Sequence, residues 1–143
     1  MQGILLDTNV LSELMRQRPE PAVLAWFARQ NEVVFYTSAV TLAEILLGVA
    51  LLPDGKRRDA IADAAEQMFA QDFPGRCLPF DELASPEYAA LVAARNRAGL
   101  PISTEDAQIA AISLRNGLPL ATRNLKDFRQ IAGLNLLDPW LSE

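Results

Sequence analysis

Four stretches of this chain place acids or amides where an α/β protein puts its ligands. In ILLDTNVLSEL, Asp7 directly follows an apolar run and precedes a helix-like one. Sites in open parallel sheets form at the carboxyl ends of the strands, and Asp7 falls at such an end. Glu44 stands in a helical run, residues 39–52, where only Thr41, Glu44 and Gly48 are neither aliphatic nor alanine. Spacings of three and four put those three on one face. The rest of the run is apolar nearly all round, so this helix is expected to be buried, with Gly48 admitting a close neighbour. An unpaired carboxylate in such a helix costs on the order of several kcal/mol unless a partner or a metal ion neutralises it. Asp106 follows Ser103 by three residues in ISTEDAQIAAISLRNG, at a helix start where the macrodipole favours negative charge. Its neighbour Glu105 is expected to face solvent. In LATRNLKDF, Thr122 closes an apolar strand, and Asn124 and Asp127 follow.

Each residue also has an ordinary structural explanation. Asp7 caps a helix, Glu44 sits in an ion pair or at a helix edge, Asp106 completes a capping box with Ser103, and Asn124 and Asp127 make a turn and a cap. Their shared feature is position. If these ends converge, three or four carboxylates share one cleft. Like charges so placed raise one another's pKa, and a divalent cation relieves the repulsion. An all-oxygen ligand set selects Mg²⁺ or Mn²⁺.

Composition narrows the chemistry. The chain has 143 residues, half of them hydrophobic, with one Cys and no His. That excludes a Ser–His–Asp triad, a Cys–His dyad, His metal ligands, an intrachain disulfide and a Cys-rich zinc site. The net charge of −5 argues against a protein that coats nucleic acid. It leaves open an enzyme that grips a phosphodiester through metal ions, because bound cations invert the local sign. No basic, apolar leader is evident at Met1-Gln2-Gly3, and the longest apolar run, Ile45 to Leu52, is too short to cross a bilayer. A cytoplasmic protein without a membrane partner is the expectation.

The elements that must position these residues read as one α/β domain spanning residues 1–143. Five apolar segments suit strands covered on both faces: residues 3–6, 33–37, 77–80, 119–122 and 134–137. Helices are expected over residues 8–15, 22–30, 39–52 and 56–69, then from an N-cap at Ser85 to Gly99, from a cap at Ser103 to Asn116-Gly117, and briefly from Lys126. Among basic residues, Arg123, Lys126, Arg95 and Arg97 lie nearest the acids in this plan, with Arg123 the leading phosphate contact. Arg95 and Arg97 equally suit the solvated end of their helix. Lys56-Arg57-Arg58 opens a helix at its positive end and suits a partner surface. Trp26, Phe27, Met68 and Phe69 suit a core or an interface.

LLDTNVLSEL, SAVTLAEILLG, PISTEDAQIAAI and LATRNLKDF, in that order and spacing, resemble the PIN-domain ribonucleases, in particular the VapC-type and FitB-like toxins of type II toxin–antitoxin modules. The resemblance covers essentially the whole chain. It implies an α/β/α sandwich around a five-stranded parallel sheet ordered 3-2-1-4-5. It implies Mg²⁺- or Mn²⁺-dependent endonucleolytic hydrolysis of single-stranded RNA, a cognate antitoxin and a homodimer. The helical pair after strand two is implied in the antitoxin groove and the dimer. Residue by residue, Asp7, Glu44 and Asp106 match the family's first three acids and metal ligands. Thr8 and Asn9 match the hydroxyl and amide supporting the first, with Thr122 beside them. The fourth acid's slot nearest the strand holds Asn124, a neutral and weaker ligand, with Asp127 three residues on as the other candidate catalytic acid. Whether a second ion binds turns on which of them completes the site.

Two other classes remain. A phosphoacceptor receiver-like domain also carries acids after its strands, and Asp81 follows the third strand here. Such a domain also needs a second acid beside Asp7 and a Lys after the last strand; Thr8 and Pro139 stand there. A haloacid-dehalogenase-type phosphatase needs an acid where Asn9 stands. The neutral Asn124 also suits a catalytically inactive PIN-fold binding module.

Overall fold

The computed structural model describes residues 2–141. The elements run β1 (Gln2–Leu6), α1 (Thr8–Leu14), α2 (Pro21–Ala28), β2 (Val33–Ser38), α3 (Ala39–Ala50) and α4 (Lys56–Gln67), which continues into a π-helical turn, Met68–Asp72. They continue with β3 (Cys77–Leu78), α5 (Ser85–Arg97), α6 (Thr104–Asn116), β4 (Leu120–Ala121), α7 (Leu125–Phe128) and β5 (Leu136–Leu137). The sheet is parallel throughout and ordered β3-β2-β1-β4-β5, the order expected.

Register carries function here. Leu5 pairs with Tyr36 of β2 on one side and with Leu120 of β4 on the other, and Leu6 pairs with Ala121. The residues just past those strands, Asp7 and Thr122, therefore emerge side by side at the carboxyl edge. The Asp7 N–H donates to the Ala121 carbonyl at 2.9 Å and extends the ladder into the site. Side chains of β1 alternate between two cores, as the pleat requires. Leu5 packs with Ile109, Ile112 and Phe128 on one face, and Ile4 and Leu6 pack with Val10, Leu11 and Trp26 on the other. Both faces are covered, which explains why β1 is apolar without alternation.

Three expectations are corrected. Helix α3 is not buried: Leu46 and Leu47 are 51% and 59% exposed, Leu51 at its C-cap is 76% exposed, and only Thr41 and Ile45 are buried in it. Its apolar composition serves a face this single chain leaves open. Gly48 admits no close neighbour, since a Cβ added there would meet nothing within 4 Å. Ser85 is not the cap of α5. It lies inside the first turn, Ala84 holds the cap position, and the Asp81 carboxylate instead accepts from the N–H groups of Leu83 (3.1 Å) and Ala84 (3.2 Å). Ser38 and Ser103 do cap, accepting from Thr41 N–H at 3.1 Å and Asp106 N–H at 3.2 Å.

Candidate active site

Asp7 is the centre of a hydrogen-bonded frame. It is 3% exposed. Its Oδ1 accepts from the Thr8 N–H at 2.8 Å, and its Oδ2 accepts from the Thr122 hydroxyl at 2.7 Å and from Asn9 Nδ2 at 3.3 Å. Asn9 Oδ1 accepts from the Arg123 N–H at 3.2 Å, and Thr122 Oγ1 accepts from the Asn124 N–H at 3.1 Å. Two loops beyond adjacent strands are thus laced together around one carboxylate. Burial nonetheless pushes Asp7 up to about 6, against the pull of the Thr122 and Thr8 hydrogen bonds and with a further push from Asp106 and Glu44.

Glu44 reaches the same place from α3. Its Oε1 accepts from the Thr8 hydroxyl at 2.7 Å, and that hydroxyl lies 3.0 Å from Thr41 Oγ1. Thr41 is itself fully buried. Asp106 arrives from the first turn of α6. Burial raises its pKa, the Ser103 hydrogen bond opposes the rise, and the charges of Asp127, Glu44 and Glu105 add to it. Glu105 itself is exposed, as expected.

Asp7, Glu44 and Asp106 line one cleft of about 530 Å³ together with Thr8, Asn9, Asn124 and Arg123. The three acids named from sequence are therefore brought together. Asn124 lies on the cleft wall; Asp127 is not among the lining residues, although its charge is felt by Asp106. Lys126 is exposed on α7, outside the lining. The expectation that Arg95 contacts phosphate is corrected. It is 4% exposed, with Nε donating to the Leu100 carbonyl at 2.8 Å and Nη1 donating to the Arg129 carbonyl. Arg97 is exposed on α5 and does not line the cleft. Asp81, the acid a receiver domain would need, caps the start of α5 beyond the edge strand β3, two strands from β1.

Sequence reasoning missed Ser12, Glu13, Arg16 and Trp140, which also line the cleft. A signal for the first three existed. Asn9, Ser12, Glu13 and Arg16 follow the 3-4-7 spacing of one helical face, opposite the apolar Val10, Leu11 and Leu14. Trp140 stands just past β5, at the same sheet edge as the other site residues. Glu13 is buried, accepts from the Glu20 N–H at 2.9 Å and pairs with Arg16 at 3.0 Å. The Glu20 hydrogen bond, chiefly, and then Arg16 hold its carboxyl below the usual range despite burial. It is a structural acid that ties the end of α1 to the start of α2.

The donor set is all oxygen and strongly acidic, which suits a hard divalent cation. Among the described residues, no three acids converge closely enough to enclose an ion. Mg²⁺ retains several waters and needs only one or two carboxylates, so the cleft fits a hydrated ion held at its acidic wall better than a caged one.

Comparison with known proteins agrees with this geometry. The PIN domain pattern matches residues 4–134. The chain is 42% identical over 137 residues to the VapC ribonuclease Y4jK of Sinorhizobium fredii, covering 96% of this chain and 97% of the relative. It is 39% identical over 137 residues to the toxin FitB of Neisseria gonorrhoeae, covering 96% and 98%. Its fold superposes on the structure of FitAB bound to an IR36 DNA fragment with a TM-score of 0.88 at 39% identity, covering 98% of this chain and 97% of that one. With the sheet order, the framed Asp7 and the shared acidic cleft all in place, the chain belongs to the PIN domain family.

Proposed function

We propose that this chain is a ribonuclease toxin of a type II toxin–antitoxin module, an endonuclease that hydrolyses single-stranded RNA with Mg²⁺ or Mn²⁺. The observation that carries this reading is the buried Asp7, raised to about 6 in a cleft it shares with Asp106 and Glu44. A site built to hold unneutralised negative charge is a site built for a cation. The relatives named as a ribonuclease and as a toxin support the same reading.

Asp7 and Asp106 would hold the ion, with Glu44 on the third side; when bound, it supplies a water of lowered pKa and polarises the scissile phosphate. The protein's own groups fix the geometry. Thr122, Asn9 and the Thr8 N–H lock both oxygens of Asp7, so its carboxylate is preorganised. Thr8 holds Glu44 by one oxygen and leaves the other to accept a proton from the attacking water. Water oxygen bonds to phosphorus as the bond to the leaving oxygen breaks. With a single ion bound, the leaving oxygen would take its proton from solvent. Asp127 acts on Asp106 through charge, and Asn124 contributes a neutral amide to the wall.

The partner we propose is a cognate antitoxin, by analogy with the FitAB complex. A groove of about 730 Å³, lined by Met15, Phe27, Phe35, Met68 and Phe73 among others, runs between α1, α2 and α4 and suits its apolar segment. No helix of the described residues is long and apolar enough to cross a membrane. On the toxin–antitoxin reading, the chain and both partners belong to the cytoplasm.

The test is cleavage of a labelled single-stranded RNA by the purified chain with Mg²⁺, with Mn²⁺ and with chelator. Cleavage only with the ion, reduced at least ~100-fold in Asp7→Asn, supports the reading. A chain that binds its antitoxin yet leaves RNA intact with either ion is a binding module instead.

A further inference from the structure

Arg123 and Trp140 form a pair at the cleft mouth that the ion chemistry does not use. The Arg123 guanidinium carbon lies 5.1 Å from the Trp140 ring centroid. Both ends of the pair are anchored. The Arg123 backbone N–H donates to Asn9, which also holds Asp7, and the Trp140 backbone N–H donates to Asp138 Oδ1 at 2.9 Å. Trp140 is partly buried against the core cluster that holds Ile4, Leu6 and Ala121, yet it still lines the cleft that Asp7 and Asp106 share. The guanidinium lies over the indole face, and once Arg123 turns to a phosphate that face is a stacking platform of the kind unpaired nucleobases occupy. Arg16 and Arg123 are the cations lining the cleft, facing its acids. Arg16 is paired with Glu13, and the hydrogen bonds of Arg123 among the described contacts are made by its backbone.

Building on the ribonuclease reading, we propose that Trp140 stacks a nucleobase of the RNA next to the scissile phosphate while Arg123 grips the adjoining phosphate. The pair is the base subsite of the cleft. Stacking is lost when the ring is lost, so Trp140 governs affinity and the acids govern turnover.

The test uses Asp7→Asn protein, which binds without turnover, and two probes: a short oligouridylate and an abasic ribose-phosphate strand of equal length. The oligouridylate quenches tryptophan emission and the abasic strand does not, and Asp7→Asn/Trp140→Phe loses the quench because Trp26 is buried in the core. In otherwise unaltered protein, Trp140→Ala raises KM roughly 5- to 150-fold with kcat within about threefold, and Trp140→Phe recovers most of the loss. Equal quenching by both strands overturns the proposal, as does a KM unchanged in Trp140→Ala that retains its thermal melt. If the unaltered protein proves unable to cut RNA while the base-dependent quench persists, the nuclease reading fails and the subsite stands.

Discussion

Asp7 shows what burying one carboxylate costs. In metal-free protein its folded pKa of about 6 exceeds its ordinary 3.8. Between those values the folded chain binds more protons than the unfolded one, so stability falls as pH rises from about 4 to about 6. The loss attributable to Asp7 is about 3 kcal/mol above that window. Asp7→Asn is therefore expected to be more stable than the unaltered chain at neutral pH without metal, and equal to it near pH 4, in urea melts at both values. Adding Mn²⁺ should narrow the neutral-pH gap. A gap that is the same at both pH values would refute the burial argument. The meeting of this residue, Glu44 and Asp106 in one cleft was legible in the sequence because the three are acids at a strand end, in an apolar helix and at a helix start. Trp140 was not, because an aromatic residue near a chain end carries no periodicity that separates stacking from packing. Arg95 misled for a related reason: its spacing put it at a helix end, and nothing local signals that two backbone carbonyls draw it inward.

Elements deliver these residues through register and close packing. Gly3 lies where β1 meets β2, and a Cβ there would sit 2.7 Å from Leu118 Cδ2 and 2.9 Å from Tyr36 Cε2. The leucine tip can move, whereas the Tyr36 ring is held in the layer between strand and helix. Gly3→Ala is expected to cost about 1–3 kcal/mol in a denaturant melt and to lower activity only through stability. Glu13 acts across elements as well. Glu13→Ala frees Arg16 and strips the Glu20 N–H of its acceptor, an expected loss of about 1.5–3 kcal/mol. Because the Glu13 pKa is lowered on folding, that difference is present above its ordinary value of 4.5 and shrinks as pH falls through the lower folded one. Melts at neutral and acid pH measure it. The strand order and helix caps at Ser38 and Ser103 were readable because apolar runs and caps are local signals. The short extents of β4 and β5 were not, since pairing ends where the twisted neighbour ends, and that is a tertiary property.

At the scale of the molecule, the burial of α3 was the expectation that failed, and its failure points outward. Leu46 and Leu47 of α3 and Leu51 at its C-cap stay exposed, while Thr41 and Glu44 of the same helix make the contact with Thr8. Apolar periodicity reports that a face will be covered, and it does not say by which chain. The resemblance to PIN-domain toxins implies a homodimer, and a second copy is the covering we expect. Charge gives a way to test it without touching the cleft, since Leu47 and Leu51 do not line it. Leu47→Lys combined with Leu51→Lys places two ammonium groups on each partner's apolar face, and a buried unpaired charge costs far more than the contacts it replaces. Sedimentation velocity should show a dimer for the unaltered chain and a monomer for the double variant. The variant's far-ultraviolet circular dichroism should stay unchanged, because both leucines are already exposed in the single chain. If the unaltered chain sediments as a monomer, this face belongs to another partner, and the same substitutions would then be read against antitoxin binding.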